Sequence, residues 1–216
     1  MLTRLRYRLS PGSYRWAVGG FWEEIGALQF EYLVSQGLQP AHQMLDIGCG
    51  SMRGGRHFVK YLEPGHYHGM DIDPALLSAG HRELVKAGVA DRQPHLLTDN
   101  AFRFGRFETS FDYAWALSVF THLPFNVIMR CLAEVEKALV PGGRFFATFY
   151  VNPGPRLNLE PHQEQQAGRT TVDADPFYYD PDIFRWAVEG SGLDFEFVGD
   201  WGHPRNQQMI SFTKRS

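Results

Sequence analysis

The chain has 216 residues, 44% of them hydrophobic and 21% charged, with a formal net charge of −3 at pH 7. That length suits one domain with a full core, and the composition is that of an ordinary globular chain. The charge gives no overall basic field to recruit nucleic acid by counterion release, and no apolar run approaches the roughly 20 residues that a membrane-spanning helix needs.

The chain begins basic. No acidic residue precedes Glu23, whereas Arg4, Arg6, Arg8 and Arg15 all do. Leu5, Tyr7 and Leu9 alternate with arginines at period two, which predicts a short extended arm over residues 1–20, packed or solvated. Organelle targeting, docking on anionic lipid and acceptor contact are the alternatives for such an arm, but without an apolar stretch it does not suit secretion. Phe21, Ile25, Leu28, Tyr32 and Leu33 then recur at helical spacing and predict a helix over 21–36, stopped by Gly37.

From there strands and helices alternate. Strands are expected at 43–47, 66–72, 95–98 and 111–117, with helices at 55–62, 74–87 and 124–140 between and after them. A turn at Pro141-Gly142-Gly143 leads into a fifth strand at 144–151. Residues 152–180 carry four prolines and little periodicity, and a loop this long in a compact domain is usually functional or disordered. A helix at 181–190 and strands at 194–198 and 209–213 close the chain. Repeated strand–helix units predict a doubly wound α/β fold, a mostly parallel Rossmann-like sheet over residues 21–216. In such sheets ligands sit beyond the carboxyl ends of the strands, where the winding reverses.

The residues after each strand therefore carry the chemistry. Gly48 and Gly50 follow the first strand in the run from Asp46 to Gly55, letting the backbone turn sharply ahead of a helix N-terminus. Such a turn suits a nucleotide or a carboxylate-bearing cofactor, and it also occurs for plain geometry. Asp71 lies 21 residues after Gly50, placed to accept ribose hydroxyls, while Asp73 before Pro74 suits a helix cap. Asp99-Asn100 after the third strand can read an adenine amine or make a turn.

Taken together, Leu45 to Gly50, Gly69 to Asp73, Thr98-Asp99, Phe111 to Tyr113, Ser118 to Leu123 and Leu139 to Gly143 resemble, in order and spacing, the motifs of the class I S-adenosylmethionine-dependent methyltransferases. The resemblance covers about Phe21 to Val151. It implies a seven-stranded sheet with an antiparallel last strand at 209–213, and S-adenosyl-L-methionine as cofactor. It also implies that Asp46, Gly48, Cys49 and Gly50 surround the methionine half. Asp71 and Ile72 would then hold the ribose, Asp99 and Asn100 the adenine, and Leu117 and Ser118 the sulfonium side. One departure stands out: Met52 occupies the place of the family's third glycine, so the loop should differ in shape there.

A nicotinamide-dependent oxidoreductase on the same architecture is the rival. Its G-x-G-x-x-G spacing is not met here, and an acid at Asp46 suits an ammonium better than a pyrophosphate. A non-catalytic protein that keeps the pocket is the other alternative. For catalysis, His122 after the fourth strand is the candidate general base, against a structural histidine at a helix start. Residues 152–180, with Glu160, His162, Glu164, Tyr178 and Tyr179, form the candidate acceptor lid. The Glu160, His162, Glu164 spacing resembles a metal site but lacks a fourth ligand, so no metal is expected. Trp201 to Arg205 offers a second acceptor contact or a tight turn. Cys49 and Cys131, far apart and without CxxC spacing, suit neither a disulfide nor zinc. The expectation is a cytoplasmic enzyme acting on a small-molecule acceptor, with nucleic acid a poorer fit.

Overall fold

The computed structural model describes residues 13–154 and 174–216, together with the backbone of residues 163–164 and 168–169. A short helix α1 (Ser13–Ala17) precedes α2 (Trp22–Ser35). Strands β1 (Met44–Ile47), β2 (Tyr67–Asp71), β3 (His95–Thr98), β4 (Phe111–Ala116) and β5 (Leu139–Val151) then alternate with α3 (Gly55–Tyr61), α4 (Pro74–Lys86) and α5 (Phe125–Ala138). Three further two-residue strands follow, β6 (Gln163–Glu164), β7 (Gly168–Arg169) and β8 (Tyr178–Tyr179). Helix α6 (Asp182–Ala187), β9 (Leu193–Gly199) and β10 (Gln208–Lys214) complete the chain.

The main sheet runs β3-β2-β1-β4-β5-β10-β9, parallel from β3 to β5, with β10 antiparallel to both of its neighbours. Alternation along each strand sends side chains to opposite layers. Leu45, Ile47, Ala114, Phe145 and Phe149 pack with α5 and α6, whereas Met44, Trp115 and Phe146 pack with α2 and α3. The winding reverses between β1 and β4, so their carboxyl ends open the crevice where a ligand belongs.

Several expectations change in detail. Helix α2 starts at Trp22, because Phe21 takes a left-handed conformation (φ 46°) and is exposed; the buried face is Trp22, Ile25, Gly26, Gln29 and Leu33. Residues 13–17, expected in an extended arm, form a helical turn whose Tyr14 is buried. The turn at 141–143 is absorbed into β5 as a register break, with Leu139 opposite Phe111 and Arg144 opposite Tyr113. Asp73 caps α4 as expected, accepting from the Ala75 N–H at 2.8 Å. Cys49 and Cys131 are both free and buried. Arg4, Arg6, Arg8, Glu160 and His162 lie outside the described residues, as does the side chain of Glu164.

Candidate active site

The carboxyl ends of β1, β2 and β4 border a cavity of about 470 Å³ that also reaches residues 16–19 and Arg205. This is a normal size for a small-ligand pocket. Of the residues singled out in the sequence, Asp46, Gly48, Cys49, Gly50, Asp71, Ile72, Asp99, Leu117, Ser118 and His122 all line it. Asn100 does not. It is exposed on a turn that Asp99 itself makes by accepting from the Ala101 N–H at 2.7 Å. The structure thus shows at this position the turn that Asp-Asn also suited.

The glycine turn has the shape its sequence requires. Gly48 and Gly50 have φ of 72° and 55°, and a Cβ would stand 2.6 Å from Val119 at Gly48 and 2.7 Å from Val18 at Gly50. Met52 takes φ 68° although it carries a side chain. It is accommodated because Gly55 and Gly80 leave room: a Cβ at either would stand within 2.5 Å of the Met52 side chain. The loop departs from a three-glycine turn in sequence while keeping left-handed backbone at this position.

Three buried acids stand at the strand ends. Asp46 accepts from the Tyr67 hydroxyl at 2.6 Å, and burial pushes its carboxyl up to about 7, with nearby Asp71 adding to the rise. Asp71 accepts from the backbone N–H of Gly50 and of Asp73, each at 2.9 Å, tying the glycine turn to β2; burial raises its pKa as well. Asp99 receives Arg103 at 2.7 Å and Arg106 at 3.1 Å on one oxygen, and the Ala101 and Arg103 N–H groups on the other. Burial acts to raise the Asp99 pKa, but these donors outweigh it and hold the acid ionised. Four donors fill the lone-pair sites of a carboxylate. Exposed Ile72, with Leu76 and Phe102, adds an apolar wall to this side of the cavity.

On the other side, Ser118 sits in a left-handed conformation (φ 59°), with its N–H on the Thr148 hydroxyl and its own hydroxyl on Gln207. A 3-10 turn (Phe120–His122) follows. His122 is 61% exposed, and its Nδ1 lies 2.5 Å from the Asp175 carboxylate rather than on a backbone carbonyl. Asp175 arrives there because the chain returns alongside β5: Tyr150 pairs with Tyr178, and the Phe177 N–H donates to the Thr121 carbonyl.

A methyltransferase-domain family matches residues 45–145. A sterol 24-C-methyltransferase of Gibberella zeae is 26% identical over 156 residues, 67% of this chain and 40% of that protein. The 18S rRNA (guanine(1575)-N(7))-methyltransferase of Saccharomyces cerevisiae is 31% identical over 119 residues, 52% of this chain and 42% of its own length. The chain thus spans about two fifths of these relatives. Among solved structures, a SAM-bound amino pentose methyltransferase from Micromonospora echinaspora aligns with a TM-score of 0.68 at 16% identity, covering 94% of this chain and 95% of that one. Residues 45–145 thus match a methyltransferase-domain family, and the fold is that of the S-adenosylmethionine-bound methyltransferase structures.

Residues of this site that sequence reasoning missed include Trp16, Gln29, Arg53, Phe102, Tyr150, Asp175 and Gln207, all at the cavity or its His122 edge. Arg53 stands inside the glycine-rich run and Asp175 in the proline-rich segment, but neither position carries a spacing signal of its own. Trp201 to Arg205 resolves into a tight turn that also serves the site: Trp201 is buried and stacked on His203, while Arg205 reaches the cavity.

Proposed function

We propose that this chain transfers a methyl group from S-adenosylmethionine to an oxygen or nitrogen of a small-molecule acceptor, with His122 as general base and Asp175 as its positioning partner. The observation that carries the reading is the His122–Asp175 pair at the cavity wall. A carboxylate on Nδ1 favours the tautomer with its proton there, which leaves Nε2 free to take a proton from an acceptor.

The cavity suits the cofactor. Its left-handed glycine turn leaves no room for side chains, and it sets a carboxyl group at Asp46 where an ammonium would be held. We assign Asp46, Gly48, Cys49 and Gly50 to the methionine half, Asp71 and Ile72 to the ribose, and Leu117 and Ser118 to the sulfonium side. The adenine would lie against Phe102, with its amine reaching Asp99 only by displacing Arg106, the longer of its two arginine contacts. When bound, S-adenosylmethionine supplies an electrophilic methyl whose sulfur departs as a neutral thioether. The chain's own part is to align the acceptor, exclude water and hold the released proton on His122 Nε2. Residues 174–180 are the described part of our proposed acceptor cover (152–180), since they place Pro176 at the cavity and Asp175 against His122. Among the described residues no helix is long and apolar enough to cross a membrane.

The test is a product screen. Purified protein with S-adenosylmethionine is offered pooled hydroxylated and aminated small molecules and, separately, total RNA, with methylated product read by mass spectrometry. Methylation of a small molecule supports the proposal. Methylation of RNA alone would replace the acceptor class, and calorimetric heat with NAD(P) but none with S-adenosylmethionine would end the reading.

A further inference from the structure

A buried amide faces the cavity where β4, β5 and β10 meet. Gln207 stands just before β10, next to the Gln208–Phe149 pair, which sets it beside Tyr150 near the carboxyl end of β5. It is 2% exposed and lines the cavity. Its Oε1 accepts from the Thr148 hydroxyl at 2.7 Å and from the Ser118 hydroxyl at 3.0 Å. The Thr148 oxygen in turn accepts the Ser118 N–H at 2.8 Å, and its own proton goes to Gln207. Both lone pairs of the amide oxygen are thus taken, and this network fixes which way the amide points. Its NH2 end makes one long contact, 3.5 Å to the Tyr150 hydroxyl. Of the two N–H groups, at least one has no partner among the described residues. The Trp201 indole N–H, 2.9 Å from the Gln207 carbonyl, holds the backbone in place. A buried donor left unsatisfied costs more than an ordinary hydrogen bond contributes, so this corner of the cavity favours a bound oxygen atom.

We propose that Gln207 determines acceptor specificity: its NH2 donates to a carbonyl oxygen that the acceptor carries in addition to the atom that is methylated. The inference rests on the proposed methyltransferase reading of this cavity, with Ser118 on the sulfonium side and His122 as base. Ser118 also accepts from the Thr121 hydroxyl through its carbonyl at 2.8 Å, in the turn that carries His122, so the donor and the base share one support. An amide donor fits an uncharged oxygen. It works against an ammonium at the same place, which would set donor against donor.

The isomeric hydroxyacetophenones and the matching ethylphenols serve as probes, each pair sharing the phenol and differing in the carbonyl; the isomers span the spacing between the two groups. Titrated by NMR into protein saturated with S-adenosylhomocysteine, at least one ketone should bind about 3- to 10-fold tighter than its ethyl partner, the ratio for one neutral hydrogen bond. Gln207→Glu keeps an oxygen for Thr148 and Ser118 but loses the NH2, and should erase that preference while S-adenosylhomocysteine affinity holds. Gln207→Met, which offers no donor in any protonation state, is the second variant; circular dichroism monitors both. No preference in the wild type, or a preference that survives in the folded variants, would overturn the assignment. So would misfolding of both variants or a matching loss of S-adenosylhomocysteine affinity, either of which makes Gln207 a support for Ser118 instead. Each of these outcomes leaves the methyltransferase reading intact, whereas a wild type that binds no adenosyl compound would remove both.

Discussion

Asp46 couples cofactor binding to pH. Its carboxyl, pushed up to about 7 by burial, is half protonated near neutrality in the empty cavity. An ammonium held beside it favours the carboxylate, so binding expels a proton and affinity must rise with pH until Asp46 is ionised in the free protein. We predict that S-adenosylhomocysteine affinity falls by up to about tenfold for each pH unit below roughly 7, and that Asp46→Asn flattens this dependence. Calorimetry over that range checks it, and a flat wild-type profile would remove Asp46 from the ammonium. At His122 the readout is turnover. His122→Ala should cut kcat by about 10²–10⁴-fold with cofactor affinity unchanged. Asp175→Asn should give a smaller loss, in kcat and not in KM, whereas a merely structural role would lower stability and leave the turnover of the folded fraction intact. Gly48, Gly50 and Asp71 were legible in the sequence because backbone geometry and strand-end placement restrict them to few residue types. Asp175 was not, since it reaches His122 across 53 positions of sequence. Asn100, placed off the cavity wall, was ambiguous because Asp-Asn serves turns and ligands alike.

At the scale of elements, the segment ahead of α2 closes one side of the cavity, and its first turn is tied to one buried acid. Glu83 on α4, with its side chain 3% exposed, accepts from the Tyr14 hydroxyl, from Arg15 at 2.7 Å and from Lys86 at 2.7 Å. Burial alone would raise its pKa, but the bonds from Lys86, Tyr14 and Arg15 outweigh it and hold it down to about 2. The Ser51 hydroxyl donates to the Tyr14 carbonyl, and Val18 leans over Gly50, so residues 13–20 register directly on the glycine turn. A five-residue helix is far too short to persist alone, which is why period and propensity gave no sign of α1: tertiary bonds make it. Glu83→Gln should cost about 1–3 kcal/mol, with the exposed Lys86 and half-exposed Arg15 partners counting for little of it. Hydrogen exchange should then quicken in residues 13–20 before any change in β1 or β4, and cofactor affinity should weaken because Trp16 to Gly19 line the cavity. Uniformly faster exchange across the sheet would show instead that Glu83 supports the whole domain.

Across the whole molecule, the strand–helix alternation made the doubly wound sheet legible, and strand-end placement made the crevice legible with it. The register break in β5 and the return of β8 beside it were not, because pairings between distant segments leave no local period. The same packing buries two histidines that the chemistry does not use, and they tie global stability to pH. His68, stacked on His95, is pushed down to about 4 by burial and by that neighbour, and His203 down to about 3. In the unfolded chain both titrate near 6.5. Their contribution is complete above that value and is lost as pH falls toward the folded values, because only the unfolded state takes up the protons. Asp46 acts with the opposite sign: its folded value of about 7 exceeds its ordinary 3.8, so in this window the folded state holds a proton that the unfolded state lacks. Asp71, also raised, works in the same direction as Asp46. His57, also pushed down by burial, adds to the histidines' side, and so does Glu83 toward the acid end of the window, since it is held at about 2 against an ordinary 4.5. We therefore predict that unfolding free energy falls as pH drops between about pH 6 and pH 4.5, on the order of 1.4 kcal/mol per pH unit for each net proton taken up on unfolding. His203→Gln removes one of the histidine contributions and should flatten the slope, while Asp46→Asn should steepen it. Urea titrations of ligand-free protein at stepped pH measure all three. Identical slopes in wild type and His203→Gln would mean that His203 can be protonated in the folded state despite its burial beside Arg53 and Arg205.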